Sequence, residues 1–375
     1  MKSAIAFCLF KYFPHGGLQR DFLRIALECQ QRGASVRVYT LSWEGSVPEG
    51  FDVRIVPVKA WSNHRRVQKF FQWVEKEFQN FPTLGTVGFN KMPGLDIYYA
   101  ADACYQEKSL TQRGPLYRLG ARYRLYKKFE QAVFGAKSKT EILMISQAQT
   151  PFFVKHYGTQ PARMHFLPPN ISKDRIAPQN AAAVRAAFRK ENGFGDSEQW
   201  IVQIGSGFIT KGVDRSIRAI AALPEAVREK ICFWVVGADR KQRFERLARK
   251  LGVAERVVFT GGRSDIPQIL LGADLMVHPA YNENTGTTLL EAVVAGLPVI
   301  CSGACGYSGH ILKADCGGVV PEPFEQEIFN RQLEQMLTGG QLPRFGKNAL
   351  AYAQATDLYS MHERAADIIL KTVKK

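Results

Sequence analysis

Leu275-Met-Val-His278-Pro-Ala-Tyr-Asn-Glu283-Asn-Thr-Gly286-Thr-Thr-Leu-Leu-Glu291-Ala-Val-Val-Ala-Gly296-Leu-Pro298-Val-Ile-Cys301 changes character three times, and those changes decide the architecture. Leu275–His278 is an apolar run that reads as a buried strand, and polar turn residues follow it. A helix starts near Thr287, after Gly286, and reaches Val294; Pro298–Cys301 reads as the next strand. Two strands joined through a helix run parallel, because a parallel pair needs a crossover connection and the helix supplies it. The same rhythm precedes this stretch: Trp200–Ile204, a helix near Val213–Leu223, Ile231–Val236, a helix near Lys241–Leu251, and Val257–Thr260. It also fills the first half: Ala4–Leu9, a helix near Leu18–Arg32 that ends at Gly33, Val36–Thr40 and Val53–Pro57. The expected fold class is α/β, with two Rossmann-like domains whose parallel sheets face each other across a cleft.

Consecutive prolines at Pro168-Pro169-Asn170 block both helix and central strand and mark the domain boundary. The first domain is expected over residues 1–168 and the second over 169–354. A C-terminal helix within 355–375, clearest at Met361–Thr372, is expected to pack back on the first domain. In such sheets ligands bind beyond the carboxyl ends of the strands, where loops enter helix N-termini.

Composition narrows the classes. The chain of 375 residues is 46% hydrophobic and 22% charged, ordinary for a globular protein. No apolar run approaches the roughly 18–20 residues that cross a bilayer. Ala4–Phe10 is too short for a signal peptide before Lys11 and reads as the first buried strand of a cytoplasmic protein. Seven cysteines, several in apolar runs, form no secreted framework, and Cys301-x3-Cys305 lacks the further ligands of a zinc site. The net charge of +16 favours an anionic partner: nucleic acid, an anionic membrane or a phosphorylated substrate.

The opening stretch also carries chemistry. Free backbone N–H groups around Thr285, Gly286 and Thr287, at a helix start, can hold an anion. Glu283 precedes that helix and can reach a ligand hydroxyl. Glu291, about two turns in, can accept two hydrogen bonds from a vicinal diol such as ribose. Near the N-terminus, Gly16-Gly17 lies between a strand and a helix and lets backbone approach a ligand closely. It is no G-x-G-x-x-G, and no acidic residue is placed to hold a dinucleotide ribose.

The E-x7-E spacing ahead of A-x-x-A-G-x-P resembles the donor-site motif of the retaining, two-Rossmann (GT-B) glycosyltransferases of family 4. Gln203-Ile-Gly205-Ser-Gly207-Phe-Ile-Thr-Lys211-Gly212 is similar to that family's diphosphate loop, with Ser206 where the family usually carries an arginine. The resemblance implies Lys211 on the donor diphosphate, with Arg175 the candidate for the missing cation. It implies Gly16 and Gly17 facing the donor sugar, with Asp21 a candidate for contacting that sugar and Asp102 for the acceptor or as a base. Narrower blocks span the chain: Tyr12-Phe-Pro-x-Gly-Gly-Leu-Gln-Arg-Asp21, Val38-Tyr-Thr-x-Ser-Trp-Glu-Gly45, Gly88-Phe-Asn-Lys-Met-Pro-Gly-Leu-Asp96 and Cys305-Gly-Tyr307. These are similar to the lipopolysaccharide-core glucosyltransferases that act on the first heptose. The implied donor is UDP-glucose and the implied acceptor a lipid-linked heptose; glucose itself rests on the resemblance alone.

Tyr105–Glu130 carries Lys108, Arg113, Arg118, Arg122, Arg124, Lys127 and Lys128 against Glu107 and Glu130, with leucines and aromatics interleaved. Arg118, Arg122, Arg124, Lys127 and Lys128 suit an anionic inner-membrane surface; a solvated helix covering the core is the alternative. No nucleic-acid motif accompanies the patch. The sequence has no D-x-D pair and no histidine cluster, so neither a metal nor another cofactor is expected. Rival readings are a family 4 transferase with another donor or acceptor, a GT-B epimerase or phosphorylase, and a non-enzymatic basic membrane- or RNA-binding protein.

Overall fold

The computed structural model describes residues 4–14, 16–195 and 197–374; His15 of the glycine loop and the terminal Lys375 lie outside the described residues. The chain divides into two units, Met1–Pro168 with Ser360–Lys375, and Pro169–Tyr359. It re-enters the first unit at Ser360 and not at residue 355. Ala355 still ends the helix Leu342–Ala355, whose Phe345 and Ala349 are buried in the second unit.

In the first unit, β1 (Ile5–Cys8), β2 (Val36–Thr40), β3 (Phe51–Ile55), β4 (Gly85–Gly88), β5 (Ile97–Ala100), β6 (Glu141–Met144) and β7 (Met164–Phe166) form one parallel sheet. Its order is β3-β2-β1-β4-β5-β6-β7. Side chains alternate across a strand, and here both faces are apolar. Ile5, Phe7, Val36, Val38, Ile97 and Tyr99 enter one core, while Ala6, Cys8, Tyr39, Tyr98 and Ala100 enter the other. Helices cover each face. The helix α1 (Gly17–Gln31) and the terminal helix Met361–Val373 join the first core through Phe22, Ile25, Met361, Ala365 and Ile369. An ion pair, Arg32 Nη1 to Asp367 Oδ1 at 2.5 Å, ties the end of α1 to the terminal helix. On the opposite face, α2 (Asn63–Asn80) supplies Val67, Phe70 and Val74.

The second unit repeats the scheme. β8 (Gln199–Ile204), β9 (Ile231–Val236), β10 (Val257–Gly261), β11 (Leu275–His278), β12 (Val299–Ser302) and β13 (Gly317–Val320) are parallel, in the order β10-β9-β8-β11-β12-β13. Trp200, Val202, Met276 and Val299 face one core; Ile201, Phe233, Leu275 and Ile300 face the other. Strand order reverses between β1 and β4 in the first unit and between β8 and β11 in the second. Loops leaving the carboxyl ends of such neighbours diverge and open a crevice for a ligand.

Candidate active site

Loops after β8 and β11 meet at the reversal point of the second unit. Lys211 comes from the first and Glu283 from the second, and their side chains form an ion pair. The two backbones are also joined. Tyr281 N donates to Thr210 O at 2.8 Å, and Gly212 packs so closely on Pro279 that a Cβ there would overlap the Pro279 carbonyl oxygen. Gly212 has φ +72° and caps the helix Val213–Ala222. Only glycine takes that conformation without strain.

Glu283 is held on several sides. Its N–H reaches Ala304 O at 3.4 Å, Gly306 N donates to its carbonyl at 3.1 Å, and Tyr307 N donates to Thr285 O at 2.7 Å. Nε2 of the fully buried His278 lies 3.5 Å from Oε2 of Glu283. Burial raises the Glu283 carboxyl pKa, but His278 and Lys211 outweigh it and hold the value at about 2. Burial, helped by the Lys211 charge, pushes His278 down from its ordinary value against the pull of Glu283. The result is a fixed carboxylate paired with a fixed ammonium beside a neutral imidazole. Gly286, at φ +87°, turns the chain into the helix Thr287–Val294, with Thr287 at its first position.

Glu291 projects from that helix toward Arg175, whose Nε lies 3.5 Å from Glu291 Oε1; Arg175 Nη1 also meets Asp174 Oδ2 at 3.0 Å. The structure thus brings Arg175 to the expected ribose carboxylate. Sequence reasoning missed Arg215. Its guanidinium lies 3.7 Å from the ring centres of both Tyr281 and Phe324, and Nη1 donates to the Pro279 and Ala280 carbonyls at 3.1 Å. Tyr281 in turn donates to Asp214 Oδ2 at 2.9 Å. This clamp fixes the loop that carries Glu283. The available signal was Arg215 itself, four residues past Lys211 and on the first turn of a helix.

In the first unit the reversal point holds the glycine loop. Gly16 caps α1 without a side-chain hydrogen bond, and nothing lies within 4 Å of where a Gly17 Cβ would stand. Phe10 N donates to Asn90 Oδ1 at 2.8 Å, linking the loops after β1 and β4. Asp102 rims a cavity of about 380 Å³ that Asn90, Lys91, Lys108, Arg122 and Tyr126 also line. Asp21, the candidate for contacting the donor sugar, is engaged within the first unit. Its carboxylate turns inward, accepting from Tyr99 Oη at 2.8 Å and lying 3.3 Å from His362 Nε2.

Residues 184–351 match the model of the family described as glycosyl transferases group 1. Lipopolysaccharide glucosyltransferase WaaG of Escherichia coli (strain K12) is 48% identical over 366 residues, covering 97% of this chain and 98% of its own. The chain belongs to the WaaG family of glycosyltransferases. The crystal structure of a WaaG superposes with a TM-score of 0.85, at 48% identity, over 97% of this chain and 99% of that one. Anabaena Alr3699/HepE in complex with UDP-glucose shares the fold alone, with a TM-score of 0.69 at 17% identity, covering 98% of this chain and 100% of its own. The fold is therefore GT-B.

In this glycosyltransferase the basic segment is broken into three pieces: α3 (Tyr105–Gln112), a 3₁₀ turn Pro115–Leu119, and α4 (Ala121–Phe134). Arg122, Arg124, Lys127 and Lys128 are exposed and Arg118 is half-buried. The interleaved apolar residues divide, because the helix has an inner face. Leu116 and Leu119 are 79% and 72% exposed, whereas Tyr123 and Phe129 are buried. Glu130 is no surface counter-ion. Fully buried, it accepts from Lys91 Nζ at 2.6 Å, the N–H groups of Tyr105 and Gln106, and Tyr157 Oη at 2.6 Å. Burial raises its pKa, but Lys91 and these donors carry it below the usual value. Among the described residues no group of three or more His, Cys, Asp or Glu side chains is placed to hold a metal ion. No helix among them is long and apolar enough to cross a membrane.

Proposed function

We propose that this glycosyltransferase moves glucose from UDP-glucose onto the first heptose of the lipopolysaccharide inner core, with retention at the anomeric carbon. It would work on the cytoplasmic face of the inner membrane. The observation that carries the reading is the Lys211–Glu283 pair at the reversal point of the second unit, in a chain 48% identical to WaaG over 97% of its length.

Departure of UDP builds negative charge on the leaving phosphate oxygen. The Lys211 ammonium and the N–H groups around Thr285, Gly286 and Thr287 meet that charge from fixed positions, and one such donor is worth ~3–4 kcal/mol of barrier. Glu283 orients Lys211 and the sugar hydroxyls; Glu291, steadied by Arg175, takes the ribose. The bond from the anomeric carbon to phosphate breaks as the acceptor hydroxyl attacks the same face, and the hydroxyl proton passes to the departing phosphate oxygen. Asp102 and its cavity serve the acceptor. The basic segment keeps the enzyme on the anionic surface where a lipid-linked acceptor resides.

The deciding assay combines purified protein, labelled UDP-sugars and heptose-terminated core lipid, with and without EDTA. Transfer of glucose in preference to other sugars, undiminished by EDTA, is expected. Transfer only from another donor assigns a different transferase, and loss on chelation restored by magnesium overturns the metal-free mechanism.

A further inference from the structure

Trp61 is exposed over its entire side chain, on the loop between β3 and α2. A bare indole leaves a large apolar surface in water that burial would remove. From Val56 to Val74 the chain has no acidic residue, and Lys59, Arg65, Arg66 and Lys69 surround the tryptophan in sequence. Lys59, Arg65 and Lys69 are exposed. Positive charge in the first turn opposes the helix dipole, yet α2 opens with Arg65 and Arg66 and has no acid there. Helix stability does not explain that placement.

The neighbourhood does. α4 repeats the pattern with Arg122 and Arg124 and no acid in its first turn. The two helices lie side by side in the same direction: Arg66 and Val67 line one cavity with Tyr126, and further along the rings of Phe71 and Phe129 are 5.6 Å apart. Their N-termini, and so Trp61 and the Leu116–Leu119 turn that leads into α4, lie on one edge of the first unit. We propose that Trp61 is a second anchor on an anionic bilayer, entering the headgroup region while the cations of both helices face lipid phosphates. This rests on the membrane reading above and extends its contact surface to a separate part of the chain. An acidic protein partner would also meet the cations, but a bare indole and two exposed leucines on the same edge favour a fluid apolar layer that needs no fixed pocket.

Trp61→Phe and wild-type protein, compared first by thermal unfolding, are each mixed with phosphatidylglycerol–phosphatidylethanolamine vesicles, plain or carrying brominated acyl chains. Bound wild-type protein should show a blue shift and bromine quenching that Trp61→Phe lacks. Trp61→Ser should partition roughly tenfold more weakly, and that deficit should persist in high salt, which screens the cations but not the apolar contact. Binding with no quenching difference between wild type and Trp61→Phe overturns the anchor and leaves the basic-segment reading standing. No binding of wild-type protein to anionic vesicles at low salt overturns both.

Discussion

His278 and Lys211 share one oxygen of Glu283: Oε2 lies 3.5 Å from His278 Nε2 and pairs with the Lys211 ammonium. His278 and Glu283 make the second unit sensitive to acid. The folded state keeps His278 neutral below its ordinary value of 6.5. The unfolded chain therefore binds a proton there that the folded chain refuses, and stability falls as pH drops through that range. Glu283 adds a second loss, between its ordinary 4.5 and about 2. Calorimetric unfolding from pH 8 to 5 should show a falling midpoint, with a smaller fall in His278→Asn. Equal slopes in the two proteins would remove His278 from the titration.

Gly212→Ala should destabilise more than Gly207→Ala. Both glycines have positive φ, +72° and +82°, and each alanine costs about 1–2 kcal/mol for that backbone conformation. Gly212 adds the collision with Pro279, whereas nothing lies within 4 Å of a Gly207 Cβ. Thermal unfolding and UDP titration of the two variants check the order, and equal effects would mean the loop contact is slack.

Lys211→Ala should lower turnover about 10²–10³-fold on a folded protein, with a smaller loss of UDP affinity, since its charge matters most as the diphosphate leaves. Steady-state kinetics decide. Full activity would assign the task to the backbone N–H groups.

Glu291→Ala should weaken UDP binding by ~1.5–3 kcal/mol, the worth of hydrogen bonds to a charged group. Calorimetry with UDP alone is the measurement. A cycle with Arg175→Ala should be non-additive, because the two side chains touch. Unchanged affinity in Glu291→Ala would place the ribose elsewhere.

Replacing Arg118, Arg122, Arg124, Lys127 and Lys128 by Gln should release the protein from anionic vesicles at low salt and spare UDP affinity. Each cation near such a surface contributes about 1 kcal/mol, with Arg118 contributing less because it is half-buried. Vesicle sedimentation at low and high salt reads the loss.

The strands Val36–Thr40, Ile231–Val236 and Leu275–His278 and the helix Thr287–Val294 appear with the limits their residues announce. Each is a dense apolar run or a glycine-led helix whose signal is local. Glu283 was singled out because it stands between a strand end and a helix start, and Lys211 through the resemblance of its loop to the family pattern; the structure pairs the two side chains. Glu130 was not legible. Its principal cation, Lys91, is 39 residues away, and nothing near Glu130 says that it faces inward. The Arg215 clamp escaped for the same reason, since its rings arrive from Tyr281 and Phe324 on other loops. The partners of Asp21 were hidden as well, since Tyr99 and His362 come from distant segments.

The helix Met361–Val373 completes a core that begins at Ile5. During synthesis, then, the core of the first unit stays incomplete until Met361, Ala365 and Ile369 have followed the whole of the second unit. The second unit is continuous and can fold while its neighbour is still incomplete. A chain cut before Met361, or a substitution that takes Ile369 out of this core, would leave a finished second unit attached to an open, aggregation-prone first unit.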